Sequence, residues 1–360
     1  MLIGNVASRK LFKISLSCLY CALVVLVPTE LFVRYYLIPR QEYGYLQTDS
    51  ANFPFFRLKE NFSSPTVTIR SGRREFQVRG KRTRKVAFVG DSVTFGTHLR
   101  DTDSYVEQVQ RIQELYDAYN FGVPGYGLPE IESVVARLAG EKCCDAIVYT
   151  FNFNDVHAGM TGLLPLLENE SNRFASMDKY DGLLGGLKQL GKDHIKSLYV
   201  IKYVWSNLSL RESAPAPDGA EPRPPCYGDI LEMSAEQTYQ KPNRLWQPMY
   251  RDPELIAKLR DHVRALRAKV ESSGGRFFVA VSYDFLFFEE GTDGTYRSIM
   301  AGVLRRSGVD VIETYPLYRT NYKECDFYAD PRHLGRMGSR LLAELVHAEL
   351  VEQLFDSRSR

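Results

Sequence analysis

The sequence predicts an α/β protein built on a parallel sheet of five strands. Short apolar runs alternate with helical periodicities along most of the chain, and the first run, residues 86–89 (VAFV), is apolar at four consecutive positions. Such continuous runs are typical of strands buried on both faces of a parallel sheet, and β-α-β alternation places helices on both faces. With 360 residues, 44% of them hydrophobic, the chain can bury a sizeable core.

The predicted elements follow one another without an internal repeat. The five predicted strands are residues 86–89, 118–123, 146–151, 277–281 and 309–312. Helical patterns start near Asp101 and Pro129, and Asp252 followed by Pro253 is a typical N-cap with proline at the first helical position. Two further helices are expected near residues 296–306 and after His333.

The amino end predicts a membrane anchor. No charged residue occurs between Ile14 and Thr29, and extension to residues 11–33 reaches the length of about 20 residues that a spanning helix needs. Arg9 and Lys10 precede this run, which favours a cytoplasmic amino terminus. A cleaved signal peptide is the alternative, but no small-x-small site closes the run. We therefore expect residues 1–40 to be an uncleaved single-pass anchor, with the following body extracytoplasmic.

The remaining chain divides into three parts. Residues 41–85 form an aromatic and then strongly basic approach segment, which could hold an anionic polymer or lipid headgroups, or could be a solvated β-hairpin face. Residues 86–355 form the α/β domain. Within it, residues 156–248 lose the regular pattern and include five prolines between positions 214 and 225, which indicates an insertion or lid. Residues 356–360 are a polar tail.

Charge and cysteine content exclude several classes. A formal net charge of +2 gives no argument for a nucleic-acid partner. No cysteine spacing resembles a zinc site, and no glycine-rich nucleotide motif is present, so neither a metal nor a cofactor is expected. Cys143 and Cys144 are adjacent, which disfavours a mutual bridge. Cys226 and Cys325 could form a disulfide in an oxidising compartment or remain buried thiols.

Polar residues follow four of the predicted strands. Ser92 comes after the first strand, Gly125 after the second, Asn154 after the third, and the pair Asp330 and His333 lies in the loop after the fifth. The carboxyl ends of parallel strands meet at one edge of a sheet, so these residues can converge there.

The chemistry of this set is that of a serine nucleophile. His333 would take the proton from Ser92, and Asp330 would orient the imidazole. The backbone N–H groups of Ser92 and Gly125 and the amide of Asn154 would form the oxyanion hole. Simpler interpretations exist for each cluster, since the serine could be a helix N-cap, Pro124-Gly125 a plain turn, and the aspartate–histidine pair a surface cap of the last helix. His98 and His157 are interpreted as loop histidines.

These blocks resemble those of the SGNH (GDSL-type) hydrolase superfamily. The blocks are GDSVTFG at 90–96, NFGVPG at 120–125, ND at 154–155 and DPRHL at 330–334. The resemblance covers about residues 86–155 and 252–350, and it implies a flavodoxin-like three-layer α/β/α fold. It also implies a serine esterase or acyltransferase in which Ser92, His333 and Asp330 are catalytic and Gly125 and Asn154 complete the oxyanion hole. Asn152 stands where the family usually has glycine, which we expect to reshape the acyl pocket.

Three functions are consistent with these observations. The leading hypothesis is an esterase that removes small acyl groups, such as acetyl, from a carbohydrate or another ester through an acyl-enzyme on Ser92. The anchor and the residues after it also resemble membrane-tethered bacterial members of the superfamily, so the first alternative is an O-acyltransferase that modifies an extracytoplasmic polysaccharide. The second is a non-catalytic anchored module that binds an anionic polymer through the basic segment.

Overall fold

A computed structural model describes residues 45–48, 56–64, 66–75, 82–156, 224–235 and 252–355. The chain divides into two compact units, of which one comprises Leu46–Arg173 and Arg223–Arg360 and contains every element described below. The other comprises Met1–Tyr45 and Phe174–Pro222. Within the described ranges no helix is both long and apolar enough to cross a membrane. The predicted anchor, the polar tail and most of the predicted insertion lie outside those ranges.

The described strands form one large sheet and one small one. In chain order they are β1 Leu46–Thr48, β2 Phe56–Leu58, β3 Asn61–Ser63, β4 Thr68–Arg70, β5 Arg73–Arg74, β6 Arg84–Gly90, β7 Tyr116–Gly122, β8 Ala146–Phe151, β9 Arg276–Val281 and β10 Asp310–Ile312. Strands β1 and β2 pair with each other. The other eight form a sheet in the order β10-β9-β8-β6-β7-β5-β4-β3.

The α/β class is confirmed, but the prediction of five parallel strands is wrong. The five predicted strands, β6 to β10, do pair in parallel, and their order corresponds to the 2-1-3-4-5 order of flavodoxin-like sheets. Strands β3, β4 and β5 extend the sheet antiparallel beyond β7. They come from the basic approach segment, where strands of two or three residues are too short for the apolar runs that predict a strand. Strands β4 and β5 pair as a β-hairpin, which was one interpretation of this segment.

Nine helices are found among the described residues. They are α1 Ser92–Phe95, α2 Tyr105–Ile112, α3 Leu128–Gly140, α4 Tyr227–Ser234, α5 Pro253–Ser272, α6 Phe285–Glu289, α7 Asp293–Ser307, α8 Tyr315–Asn321 and α9 Arg336–Phe355. Asp252 caps α5 as predicted, because its side chain accepts the N–H of Glu254 at 2.9 Å. Helix α2 packs against α9, and α5 packs against α3 and α7.

Four of these helices are not among the predicted elements. Helices α1, α4, α6 and α8 have four to eight residues, too short for a clear helical periodicity. A disulfide between Cys226 and Cys325 anchors the start of α4 to the loop that precedes Asp330. Cys143 and Cys144 are free thiols.

The core of the sheet fixes the place where its strands end. Residues 86–89 of β6 are at most 1% exposed, and every residue of β7 and β8 is buried. In the register of the sheet, Gly90 is paired with Gly122 on one side and with Thr150 on the other. The loops that follow β6, β7 and β8 therefore leave the sheet side by side at its carboxyl edge, since adjacent strands lie about 4.8 Å apart.

Candidate active site

Ser92 lies where β6 turns into α1. The N-cap of this helix is Asp91, whose Oδ1 accepts the N–H of Val93 at 2.9 Å. The interpretation of Ser92 as the cap is therefore wrong: it is the first helical residue, and its hydroxyl is available for other contacts. Gly96 ends the helix with φ of 82°, a left-handed conformation that favours glycine.

His333 connects Ser92 to Asp330. Its Nε2 lies 2.8 Å from Ser92 Oγ, and its Nδ1 lies 2.8 Å from Asp330 Oδ2. The side chains of His333 and Asp330 are only 15% and 9% exposed. Both distances are those of good hydrogen bonds, so the three side chains form one continuous chain from hydroxyl to imidazole to carboxylate. The structure thus brings Ser92 into contact with His333, although the two residues lie 241 positions apart in the sequence.

The loop that carries the imidazole is fixed by its own backbone. Asp330 Oδ1 accepts the N–H groups of Arg332 and His333, both at 2.8 Å. The carbonyl of His333 accepts the N–H of Ala329 at 2.8 Å. This turn presents the imidazole towards Ser92 while Asp330 remains buried.

The carboxyl of Asp330 is held in its charged form. Burial by itself would raise its pKa, but the charge of His333 and the hydrogen bonds from His333 and His98 outweigh burial and hold the pKa well below its usual range. A carboxylate in this position stabilises an imidazolium on His333, which is the state formed when the imidazole accepts a proton.

Gly125 and Asn154 follow the two strands that flank β6. Gly125 lies in an exposed turn with φ of 83°. Asn154 is 8% exposed in the 3-10 turn Phe153–Val156, and its Oδ1 is buried without a hydrogen-bond partner within the described residues. Within the described part of the chain, the backbone N–H groups of Ser92 and Gly125 donate no hydrogen bond. These donors lie at the same edge of the sheet as the hydroxyl of Ser92.

Sequence reasoning missed a buried network beneath Asn154. Asn152 is fully buried, its Oδ1 accepts the N–H of Asn154 at 3.2 Å, and its Nδ2 donates to Asp284 Oδ1 at 3.4 Å. Asp284 Oδ2 in turn accepts Nε of Arg332 at 3.2 Å. Asn152, which we expected to reshape the acyl pocket, therefore connects the turn that holds Asn154 to the loop that holds His333.

Asp284 has an unusual environment for a carboxyl group. It is 2% exposed, and burial raises its pKa to about 7 even though Arg332 beside it favours the charged form. The guanidinium of Arg332 also lies 5.6 Å from the ring centroid of Phe153, which precedes Asn154. No local motif marks Asp284, since its partners are 48 and 132 positions away.

One arginine of the basic segment is also part of the site. Arg74 is 2% exposed, and its guanidinium donates to the carbonyls of Phe95, Gly96 and Leu99 at 2.7, 2.7 and 2.6 Å. Its Nε binds Asp101 at 2.8 Å. A buried arginine with these contacts is not part of a solvated face: it holds the loop that follows the helix of the serine.

His98 was interpreted as a loop histidine, but it contacts the site. Its Nε2 lies 3.1 Å from Asp330 Oδ2, and its ring is 5.3 Å from that of His333. Proximity to the GDSVTFG block is the only sequence signal that pointed to it. His157, the other loop histidine, lies outside the described residues.

Several solved structures are similar to this chain. A member of the lipolytic protein G-D-S-L family from Veillonella parvula DSM 2008 has 12% identity and a TM-score of 0.39 and covers 76% of this chain and 98% of that chain. The lipase/acylhydrolase from Enterococcus faecalis has 14% identity and a TM-score of 0.39, with coverage of 74% and 95%. A catalytic mutant of an acetylxylan esterase from Geobacillus stearothermophilus has 11% identity and a TM-score of 0.40, with coverage of 76% and 96%.

No protein-family model and no curated protein matches the chain.

Proposed function

We propose that the chain is a serine-dependent ester hydrolase that acts through an acyl-enzyme on Ser92. The observation that carries this proposal is a pair of hydrogen bonds, each 2.8 Å long. One joins Ser92 Oγ to His333 Nε2, and the other joins His333 Nδ1 to Asp330 Oδ2. A hydroxyl is a weak nucleophile until an adjacent base takes its proton, and this arrangement supplies the base and the group that orients it.

In the first half of the reaction, Ser92 Oγ attacks the carbonyl carbon of the ester while its proton passes to Nε2 of His333. The negative charge that develops on the carbonyl oxygen is stabilised by the N–H groups of Ser92 and Gly125 and by the amide of Asn154. Collapse of the tetrahedral intermediate breaks the bond to the alcohol, which leaves with the proton from Nε2. The acyl group remains on Ser92.

In the second half, water replaces the alcohol. Nε2 of His333 takes a proton from the water, whose oxygen attacks the acyl carbon, and the same proton returns to Ser92 Oγ when the acid leaves. The carboxylate of Asp330 stabilises the imidazolium in both halves, and its low pKa supports this role. The balance of protons is restored at the end of each cycle.

For the setting of this activity, we propose a membrane-anchored enzyme with an extracytoplasmic body. The uncharged amino-terminal run supports the anchor. The disulfide between Cys226 and Cys325 supports an oxidising compartment, because such bonds are rare in the cytosol. Acylated glycans and other small acyl esters are the substrates that we propose for an enzyme in this place.

The test is labelling of the full-length protein with a fluorophosphonate, together with hydrolysis of a chromogenic acetate ester. We expect wild type to be labelled and to hydrolyse the ester, and Ser92→Ala to do neither. Asp330→Asn should lower turnover by about 10⁴-fold, as loss of the orienting carboxylate does in other serine hydrolases. Ser272→Ala, at an exposed position on α5, is the matched control and should behave as wild type.

Labelling that persists in Ser92→Ala, or an inert wild type, would contradict the proposal. Product analysis in the presence of an acceptor glycan separates the two acyl reactions, since ester formation on the glycan would identify a transferase. If the protein instead binds an anionic polymer in a salt-sensitive manner that Ser92→Ala leaves intact, and neither labels nor hydrolyses, the binding module is the correct function.

A further inference from the structure

The site contains a second histidine that the hydrolytic cycle does not use. Nε2 of His98 and Nδ1 of His333 approach the same oxygen, Asp330 Oδ2, at 3.1 and 2.8 Å. The three residues each offer a donor atom, and these atoms all lie within 4.8 Å of one another. Two imidazoles and a carboxylate converge at one point, although His98 lies 232 positions before Asp330 in the sequence.

The backbone around His98 is fixed. His98 has φ of 68°, an uncommon conformation for a residue other than glycine, which persists only where its surroundings impose it. Arg74 supplies that constraint, because its guanidinium binds the carbonyls of Gly96 and Leu99 on either side of His98. The imidazole of His98 is therefore directed at Asp330 by a loop that is itself held in place.

The surroundings of the carboxylate and its access to solvent also suit a ligand. Asp330 Oδ1 accepts hydrogen bonds from two backbone N–H groups, which leaves Oδ2 for an ion. Carboxylates that bind metals are usually hydrogen-bonded in this way. The side chain of His98 is 39% exposed, whereas that of Asp330 is 9% exposed. An ion could therefore approach from solvent past His98.

We propose that His98, Asp330 and His333 form a binding site for Zn²⁺, and that the bound ion inhibits the esterase. Imidazole nitrogen and carboxylate oxygen are common zinc ligands. Tetrahedral bonds of about 2.0–2.1 Å place neighbouring donor atoms about 3.3 Å apart. The two separations from Asp330 Oδ2, 3.1 and 2.8 Å, are close to that value, and all three donor atoms lie within 4.8 Å of one another, so rotation of the two imidazoles brings the donors to bonding distance from one ion.

A bound ion would inhibit the enzyme because it determines which nitrogen of the His333 imidazole carries the hydrogen. Nδ1 of His333 binds zinc only when it carries no hydrogen, so the neutral ring then carries its hydrogen on Nε2. An Nε2–H group cannot accept the proton of Ser92, and acylation stops. In both His333 and His98 the proton moves from the ligating nitrogen to the other ring nitrogen through solvent, so none is gained or lost. This regulatory role rests on the proposed function, whereas zinc binding itself does not.

The experiment measures binding and activity separately on the full-length protein after removal of metal with a chelator. Calorimetry with zinc chloride measures the affinity of the site for zinc, and the visible absorption of added Co²⁺ shows whether a metal ion binds there. Fluorophosphonate labelling and acetate ester hydrolysis report activity, each relative to the metal-free rate of the same variant. The variants are His98→Gln and, as a matched control outside the site, His347→Gln on α9.

We expect zinc to inhibit wild type, with recovery on addition of chelator. His98→Gln should weaken both the inhibition and the calorimetric affinity by about 100-fold, because loss of even an outer-shell partner costs 10–100-fold in metal affinity. His347→Gln should bind and respond as wild type does.

Absence of binding, or equal affinity in wild type and His98→Gln, overturns the proposal and leaves His98 as a hydrogen-bond donor to Asp330. Binding that depends on His98 but leaves labelling unchanged overturns the inhibitory part. If the metal-free protein neither labels nor hydrolyses, the proposed function fails, while calorimetry and the cobalt spectrum still decide whether the site exists.

Discussion

Replacement of Gly122 by alanine should displace the nucleophile without touching it. Gly122 is the last residue of β7 and faces α1, the helix that starts at Ser92. A Cβ on Gly122 would lie 2.3 Å from the backbone nitrogen of Phe95, 2.6 Å from the carbonyl carbon of Thr94 and 2.8 Å from Thr94 Cβ. Two of these three atoms belong to the backbone, so no change of rotamer relieves the overlap.

The size of the displacement follows from these distances. Ordinary van der Waals contact begins at 3.4 Å, so α1 must move by about 1 Å relative to β7. A movement of that size along the line from Ser92 Oγ to His333 Nε2 would lengthen the present 2.8 Å to nearly 4 Å, beyond a hydrogen bond. Misplacement by about 1 Å can cost 100-fold in rate, and overpacking costs about 1–3 kcal/mol in stability.

The assay is the second-order rate constant of fluorophosphonate labelling, measured beside the urea midpoint of unfolding. Gly140→Ala is the matched control, because nothing lies within 4 Å of its added Cβ and the position ends helix α3. We expect Gly122→Ala to label about 100-fold more slowly and Gly140→Ala to label as wild type, with stability raised by up to about 1 kcal/mol. A folded Gly122→Ala that labels at the wild-type rate would refute this reasoning.

Three further predictions concern the surroundings of the site. Replacement of both Cys226 and Cys325 by serine should lower the free energy of unfolding by about 2–5 kcal/mol in a denaturant titration, because the bond closes a loop of 99 residues; unchanged stability would show that the bond does not form. Arg74→Lys should cost about 3 kcal/mol, since an ammonium cannot reach the carbonyls that the guanidinium binds, whereas exposed Arg70→Lys should cost less than about 0.5 kcal/mol; equal effects would contradict the assigned contacts. For Asp284 the pKa is raised to about 7, so the folded state binds its proton more tightly than the unfolded state and stability is lost as pH rises from about 4 to 7. Relative to Asp284→Asn, wild type should lose up to about 4 kcal/mol over that window in urea titrations, and parallel pH profiles would refute the shift.

The parallel part of the fold could be predicted because its signals are local. The strands β6 to β10 are short apolar runs, and the helices α2, α3, α5, α7 and α9 have recognisable caps or periodicity. For the antiparallel strands, a β-hairpin in the basic segment was one of the interpretations, but its pairing with the parallel strands could not be predicted. Arg74 in β5 pairs with Asn120 in β7, so this strand exists through a partner that lies 46 positions later, and no apolar run marks it.

The same distinction holds for the site. Ser92, Gly125, Asn154, Asp330 and His333 could be placed at one edge because each follows a predicted strand. The residues that support them have no such signal. His98 contacts Asp330, which lies 232 positions later in the sequence, and Asp284 contacts both Asn152 and Arg332, so only the folded chain shows these contacts. The roles assigned to the five predicted residues stay predictions until Ser92→Ala is tested.

The contacts of Arg74 bear on where the functional unit of this chain begins. A fragment cut at residue 82 would retain all five parallel strands, the serine and the histidine–aspartate pair. It would lack the side chain of Arg74, which donates hydrogen bonds to backbone carbonyls at the end of α1. It would also expose the edge of β7 that β5 now covers. Three backbone carbonyls, those of Phe95, Gly96 and Leu99, would lose the guanidinium donor that they now share. The hairpin of β4 and β5 is thus an integral part of the domain that carries Ser92. A shorter fragment should be prone to pair with other chains along the exposed edge of β7.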